Sequence, residues 1–447
     1  MDAVEPQIAE WRAYVQRERA VDGPDVDELE SHLRDQMADL DEAGLAPDEA
    51  FLVAVKRMGA LDDLSREFAR EHSDRLWKQL VLTDPTVTEG NSGRLFEALA
   101  FAVCAAIVAQ IARLAVGWPT DENLTLVRNI GLLVLPFLAG YFVRGSGLSL
   151  RQGLLTFVPF VVVALAVNLY PFDPESSTEL LVALHMPIVL WFAIAYPYMG
   201  GTWRSHERRM DFVRFTGEWA IYYVLIALGG GVLIGLTGLL LEPAGDDLIQ
   251  RVFEWVVPSG AAGAVIVAAW LVEAKQSVVE NMAPVLTKVF TPLFALMVVA
   301  SIVTYAVVGF GEFDRDRLMV FDALLMVILA LVLYGLSARD LASERAGLMD
   351  GVQLVAVVGA LVLDVMVLGS MLARIGDLGF TPNRVAALGL NIVLLVDLVW
   401  AAWLSTRLLA GRTTVHRLSH WQTTYLPVFG AWAAAVVLII PPLFSFG

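Results

Sequence analysis

Apolar stretches long enough to cross a lipid bilayer recur from residue 95 to the end of the chain. A helix needs about 20 mostly apolar residues to cross roughly 30 Å of hydrocarbon. A helix also satisfies its own backbone hydrogen bonds there. We therefore predict an all-α polytopic transmembrane helical bundle of about eleven spans, at residues 95–117, 126–144, 152–172, 179–201, 217–241, 253–273, 287–310, 318–338, 351–374, 384–406 and 421–446.

The first 94 residues have a different composition. They carry 11 Lys/Arg and 22 Asp/Glu, a net charge of −11, out of −16 for all 447 residues. The whole chain is 57% hydrophobic and 17% charged, which excludes a single-domain soluble enzyme. Its single cysteine excludes a disulfide scaffold, and no region has the positive field of a usual nucleic-acid binder.

The apolar residues of this acidic segment recur at helical spacing. Met1 to Ala20 lacks the basic start and apolar core of a signal peptide. We predict four short helices, which begin near Pro6, Pro24, Pro47 and Leu61 and end near Ala20, Gly44, Gly59 and Leu82. Residues 1–82 should form a small soluble helical bundle, 83–94 a linker and 95–447 the membrane domain.

The soluble segment contains a spaced series of motifs: Val26-Asp27-Glu28-Leu29-Glu30-Ser31-His32-Leu33-Arg34-Asp35, Asp39-Leu40, Gly44-Leu45, Asp48-Glu49-Ala50-Phe51 and Arg57-Met58-Gly59. With these motifs, residues 5–80 resemble a known bacterial module, the helical permease-prefix or HAAS signalling domain. It implies a cytoplasmic sensing or interaction module whose partner is a regulator or a permease subunit. It implies no catalytic residue.

Seven short segments are spread through the last third of the chain: Phe313-Asp314-Arg315-Asp316, Asp322-Ala323-Leu324-Leu325, Leu336-Ser337-Ala338-Arg339-Asp340, Thr381-Pro382-Asn383-Arg384, Leu388-Gly389-Leu390-Asn391, Tyr425-Leu426-Pro427-Val428 and Ala431-Trp432-Ala433. With these segments, residues 310–447 resemble a family of uncharacterised polytopic bacterial membrane proteins, which implies architecture only.

Lys and Arg are unevenly distributed between alternate loops. If residues 1–94 are cytoplasmic, the inner loops hold 13 and the outer loops six. The positive-inside rule then places the N-terminus in the cytoplasm and Gly447 outside, as in a multi-pass protein of the bacterial inner membrane. The lipid bilayer is the partner that this pattern predicts directly, whereas the oligomeric state is left open.

Two aspartates lie deep inside predicted spans. Asp364 and Asp397 fall near the middle of the ninth and tenth, which a short loop joins. Charge at the bilayer centre is costly, so such acids usually face the bundle interior and often serve transport or proton relay. Two carboxylates in one apolar site would form a proton or cation site. Alternatively, each is neutral or paired with another span and holds helices together.

Three further polar residues are candidates for the same intramembrane site. Arg113 could neutralise a buried acid. Asn391 lies six residues before Asp397, too far round the helix to share its face closely. His185 is either functional or a hydrogen-bonded helix contact. Acids near span ends are predicted to anchor the helices at the surface: Glu97, Glu218, Glu273 and Asp322.

The remaining motifs predict no chemistry. His416 and His420 have the spacing of a metal pair but lack an accompanying acid or cysteine, so we expect them, like the basic segment 204–209, to contact anionic lipid. Gly231 and Gly235 have the GxxxG spacing of close helix packing. The sequence predicts no catalytic residue, no cofactor and no metal.

Three classes of function stay open. The first is a sensor or regulator whose membrane domain signals through residues 1–82. The second is a transporter or permease-like protein that uses Asp364 and Asp397 for proton or cation coupling. The third is a membrane-embedded enzyme that acts on lipid, although no hydrolase, ATPase or metalloprotease motif is present.

Overall fold

The fold is described by a computed structural model over residues 4–9, 11, 23–42, 45–58, 85–118, 124–173, 176–242, 245–274, 282–308, 315–337, 339 and 346–447. These residues are 88% helical and include no strand. The predicted all-α class is therefore confirmed. The chain divides into two compact units, Met1–Gly93 and Arg94–Gly447.

The first unit has its own apolar core. Residues 5–9 and 11 are helical, and helices α1 (Gly23–Glu42) and α2 (Pro47–Met58) follow. The predicted fourth helix, 61–82, lies outside the described residues. The side chains that form this core are buried together: Val4, Ile8, Trp11, Leu33, Met37, Leu40, Ala50, Phe51, Ala54 and Val55.

A charged contact borders this core. Both terminal nitrogens of Arg34 donate to the Glu5 carboxylate, at 2.7 and 2.8 Å, and Arg34 also binds Glu30 one turn earlier on α1. The hydrogen bond from Arg34 holds the pKa of the Glu5 carboxyl below its usual value. Glu5 is exposed, so this ion pair adds little stability. Its role is to orient the helical residues 5–9 and 11 against α1.

The second unit consists mostly of long apolar helices. In chain order they are α3 (Pro85–Val116), which belongs to this unit from Arg94 onward, α4 (Thr125–Gly145), α5 (Leu150–Thr156), α6 (Val158–Leu169), α7 (Ser177–Tyr198), α8 (His206–Leu241), α9 (Asp246–Ala274), α10 (Met282–Val308), α11 (Arg315–Ser337), α12 (Leu348–Leu378), α13 (Pro382–Leu409), α14 (Val415–Leu438) and α15 (Ile440–Leu443). The short ones are α5, α6 and α15.

Ten candidate membrane spans are found among the described residues, and each overlaps one of the first ten predicted spans. The third is made of α5 and α6, which separate at Phe157. Pro159 explains this break, since a proline lacks the N–H of a helical turn and clashes with the turn before it. The ten spans establish a polytopic membrane bundle.

Side-chain caps fix where several helices begin. Ser149, Ser176, Ser205 and Thr381 each accept a hydrogen bond from the backbone N–H three residues later. These caps satisfy donors that the first helical turn leaves free. The Ser205 cap starts α8 at His206, so the predicted basic loop 204–209 is mostly the first turn of a helix.

The eleventh predicted span corresponds to α14, which is not among the ten. Polar residues near its start lower its hydropathy, yet it reaches both ends of α7. Near its start, Thr423 accepts from Arg209, which follows α7. At its other end the carbonyl of Leu438 accepts from the hydroxyl of Tyr170, which precedes α7, at 2.9 Å. Thus α14 runs the length of α7 in the opposite direction.

The membrane unit has two large apolar clusters. One includes residues of α3, α4, α6, α7 and α9, and the other includes residues of α10 to α13. Both α8 and α14 contribute to each cluster: Phe212 and Val437 belong to the first, Val213 and Leu418 to the second. These two helices therefore join the halves of the bundle.

The glycines of α8 do not pack as expected. A Cβ atom placed on Gly231 or Gly235 would meet no atom of the described residues within 4 Å outside its own helix. The predicted close packing through this GxxxG pair is therefore wrong within this chain.

Truncation of a core side chain should destabilise the first unit. We expect Leu33→Ala, at a residue with no exposed surface, to cost roughly 2–5 kcal/mol because it removes buried methyl groups and leaves a cavity. Amide hydrogen exchange over residues 23–58 of the full-length protein measures this loss. Ser31→Ala on the exposed face is the matched control, and equal exchange in the two variants would contradict the prediction.

Because α14 runs the full length of α7, Thr202 and Gly447 should lie on opposite sides of the membrane. In a Cys104→Ala background, we expect cysteines introduced at Thr202 and Gly447 to react with a membrane-impermeant thiol reagent from opposite sides. The physical reason is that Gly447 lies with Ser177 at one end of α7, whereas Thr202 follows its other end. Labelling of both positions from one side would contradict a complete crossing by α14.

Candidate functional site

Asp397 is buried on α13 and fully hydrogen-bonded. It has no exposed surface. Nε1 of Trp421 donates to its Oδ1 at 2.9 Å, and Nε2 of Gln422 donates to its Oδ2 at 3.3 Å. Both donors belong to α14. A buried carboxylate with a donor on each oxygen is compensated in place, so this acid holds α13 against α14.

Asp364 is equally buried, but its setting is different. It lies on the packed face of α12 with Ala360, Leu363 and Val367, and it has no exposed surface. Neither carboxylate oxygen has a hydrogen-bond partner in the described part of the chain. An unpartnered carboxyl group costs several kcal/mol in such surroundings if it is ionised. Asp364 is therefore the polar group whose presence packing alone does not explain.

The two aspartates lie at similar depth but have different partners. Each is about 14 or 15 residues, or ~21 Å, from the turn that joins α12 to α13, at ~1.5 Å per residue. Asp397 makes its two hydrogen bonds with α14, whereas Asp364 makes none with the described residues. No hydrogen bond links the two carboxyl groups.

Asn391 binds Asp322, which the sequence analysis predicted to be a surface anchor. Its Nδ2 donates to Asp322 Oδ1 at 3.0 Å and to its own helix at the carbonyl of Ala387. Asn391 has no exposed surface, and Asp322 is half-buried. The pair ties α13 to α11, so the prediction that Asp322 is a plain surface anchor is wrong.

Arg113 contacts α9 near Pro258, the proline inside that helix. Its Nε donates to Gln110 Oε1 at 2.8 Å, and its Nη1 lies 3.4 Å from Glu254 Oε2. Pro258 in α9 cannot donate to the carbonyl of Glu254. Nε2 of Gln110 donates to that carbonyl at 3.2 Å and to that of Trp255 at 2.7 Å. Gln110 thus supplies the donor that Pro258 lacks, while Arg113 orients Gln110 and is paired with Glu254.

Each histidine of the membrane unit contacts its own helix or another histidine. Nδ1 of His185 is 2.8 Å from the carbonyl of Leu181 in the preceding turn, which is the hydrogen-bonded helix contact considered above. His420 stacks on His206 with ring centroids 3.7 Å apart, while His416 is 6.2 Å from His420. Among the described residues, no group of three or more His, Cys, Asp or Glu side chains could hold a metal ion.

The five predicted site residues do not assemble into one constellation. Asp397 and Asn391 bind different helices, and Asp364 has no hydrogen bond with the described residues. Arg113 is paired with Glu254 on α9, and His185 bonds to its own helix. Sequence reasoning missed Trp421 and Gln422, because they open an apolar stretch and resemble interfacial residues. The signal that could have found them is a glutamine within a span, which requires a polar partner.

No known protein family, curated protein or solved structure matches this chain. What the fold establishes is therefore its class. Ten helices that are long and apolar enough to cross a bilayer define a multi-pass membrane protein.

The contrast between the two aspartates predicts opposite effects of removing charge. Asp397→Leu should lower the free energy of unfolding by roughly 1–2 kcal/mol, because it leaves the donors of Trp421 and Gln422 unsatisfied. Asp364→Leu should leave stability unchanged or raise it, because no partner is lost. Unfolding midpoints of the purified protein in detergent measure both effects.

Asp397→Asn is the matched control. Its amide oxygen can accept from Trp421, and its NH₂ group can donate to Gln422 Oε1, which has no partner among the described residues. We expect near-normal stability for this variant. Equal destabilisation by Asp364→Leu and Asp397→Leu would contradict the assigned roles.

Proposed function

We propose that this protein is a sensor or regulator of the bacterial inner membrane, whose polytopic domain signals through the cytoplasmic helical module of residues 1–82. In this arrangement the N-terminus is cytoplasmic and Gly447 is extracytoplasmic. A cytoplasmic regulator or permease subunit is the partner of the module.

The observation that carries this choice is the burial of both intramembrane aspartates. Asp364 and Asp397 have no solvent-exposed surface. A path for a solute or ion through this site needs a polar route to at least one of them. The closed packing around both aspartates favours a sensor or regulator over a transporter or channel.

Two features of the first unit support a role in binding another protein. It has a core of its own, and its surface is strongly acidic: residues 1–94 carry a net charge of −11. The resemblance to the permease-prefix module agrees with such a role. A surface of one charge sign steers association with a partner of the opposite sign.

A comparison of three bacterial strains tests the proposal. One strain carries the intact chain, one lacks the whole protein, and one carries a chain without residues 1–82. We expect the transcript profile of the truncated strain to match that of the full deletion, because the membrane domain has lost its output. Quantification of the truncated chain in the membrane fraction is the control, and a profile that matches the intact strain would contradict signalling through the module.

A second candidate function is proton or cation coupling at Asp364. It is favoured by the carboxyl oxygens of Asp364, which lack hydrogen-bond partners among the described residues. A buried acid without compensation can take up a proton or a cation without first breaking another interaction.

Reconstitution in liposomes that contain a pH-sensitive dye separates the two functions. Under a membrane potential, a sensor should give no proton flux above that of empty liposomes. Coupling through Asp364 predicts a flux that Asp364→Asn abolishes and Asp397→Asn preserves, since only Asp364 is uncommitted. Such a result would replace the sensor proposal.

A further inference from the structure

A cavity of about 370 Å³ opens between α7, α8 and α14. Its lining is mostly apolar and includes Phe192, Ala195, Phe212 and Leu426. The last turns of candidate span α7 form one wall. Its volume falls in the range of small-molecule sites, roughly 300–1,000 Å³. We call it the α7–α8–α14 groove.

One end of the groove holds a fixed positive charge. Arg209 lines it together with Trp203. Nε of Arg209 donates to the carbonyl of Trp203 at 2.6 Å, and its Nη1 donates to the carbonyl of Thr423 at 2.9 Å. The guanidinium also lies over the Trp203 ring, 5.6 Å from its centroid. These contacts hold Arg209 in one orientation.

The charge of Arg209 is not neutralised by the described residues, and its Nη2 forms no hydrogen bond with them. Ion pairs satisfy Arg94, Arg113, Arg128 and Arg144 elsewhere in the membrane unit, but Arg209 has no acidic partner among the described residues. A fixed, unpaired guanidinium with a free donor is suited to bind a phosphate oxygen.

The surroundings of Arg209 are basic. Arg204 also lies over the Trp203 ring, 5.4 Å from its centroid. His206 stacks on His420 and contacts the hydroxyl of Thr423. Glu207 is the acid of this helical turn and is exposed. A tryptophan with arginines at the end of an apolar groove is typical of the membrane–water interface.

We propose that the α7–α8–α14 groove binds one anionic phospholipid, with an acyl chain along Phe192, Phe212 and Leu426 and the headgroup phosphate on Arg209. The charge complementarity is specific, because the groove needs an apolar tail and an anion in one molecule. The bilayer supplies such molecules directly. A lipid binds here whether or not the membrane domain signals.

Native mass spectrometry of the full-length protein tests this site. The detergent-purified protein is titrated with phosphatidylglycerol and, separately, with phosphatidylcholine of the same acyl chains. We expect the wild type to retain one phosphatidylglycerol preferentially. Arg209→Gln should weaken phosphatidylglycerol binding about tenfold, the effect of losing one charge-assisted hydrogen bond, and should abolish the preference over phosphatidylcholine, whose choline group already neutralises its phosphate.

Arg151→Gln is the matched control. Arg151 is an exposed arginine in the first turn of α5 and is not one of the residues that line the groove. This variant should bind phosphatidylglycerol as the wild type does. If Arg209→Gln and Arg151→Gln have equal effects, or if the wild type does not distinguish the two lipids, only general lipid contact occurs and the proposal is overturned.

A second variant tests the groove without removing the charge. Leu426→Trp should fill the groove and reduce retention of phosphatidylglycerol while Arg209 remains in place. Unfolding midpoints show whether each variant is folded. Unchanged retention by folded Leu426→Trp would overturn the proposal, as would complete displacement of the lipid by millimolar inorganic phosphate, which would indicate a plain anion site.

Discussion

The hydrogen bonds made by three consecutive residues of α14 hold the membrane unit together. Trp421 and Gln422 bind Asp397 on α13, and Thr423 binds His206 and Arg209 on α8. Asp397 is fully buried, so no water can replace a partner that it loses. The halves of the bundle share α8 and α14, so these contacts fix how the halves meet.

The same contacts explain why hydropathy describes most of the fold but not α14. The first ten spans could be predicted because each needs only a long apolar stretch. Helix α14 is shielded by its neighbours, with Gln422 and Thr423 buried, and it can therefore carry polar residues at depth. Local capping signals such as Ser205 were also present in the sequence, although their effect on α8 was missed.

The candidate site was less predictable, because its partners are distant in sequence. Asp364 and Asp397 look alike as isolated acids inside spans. Only the fold shows that α14 compensates one and that no described residue compensates the other. Likewise, Arg113 meets Glu254 across 141 positions, and no local spacing could have indicated that pair. In the first unit, by contrast, the helical spacing of apolar residues was sufficient to predict a packed bundle, and Leu33, Met37 and Leu40 are buried together in its core.

The position of α14 in the chain has a consequence for biogenesis. Because it follows α7, α8 and α13, it leaves the ribosome after all three have been synthesised. Until then Asp397 lacks both of its donors, and Arg209 lacks the carbonyl of Thr423. A chain that has not yet added α14 therefore leaves a buried carboxylate and a guanidinium without the partners that this helix supplies.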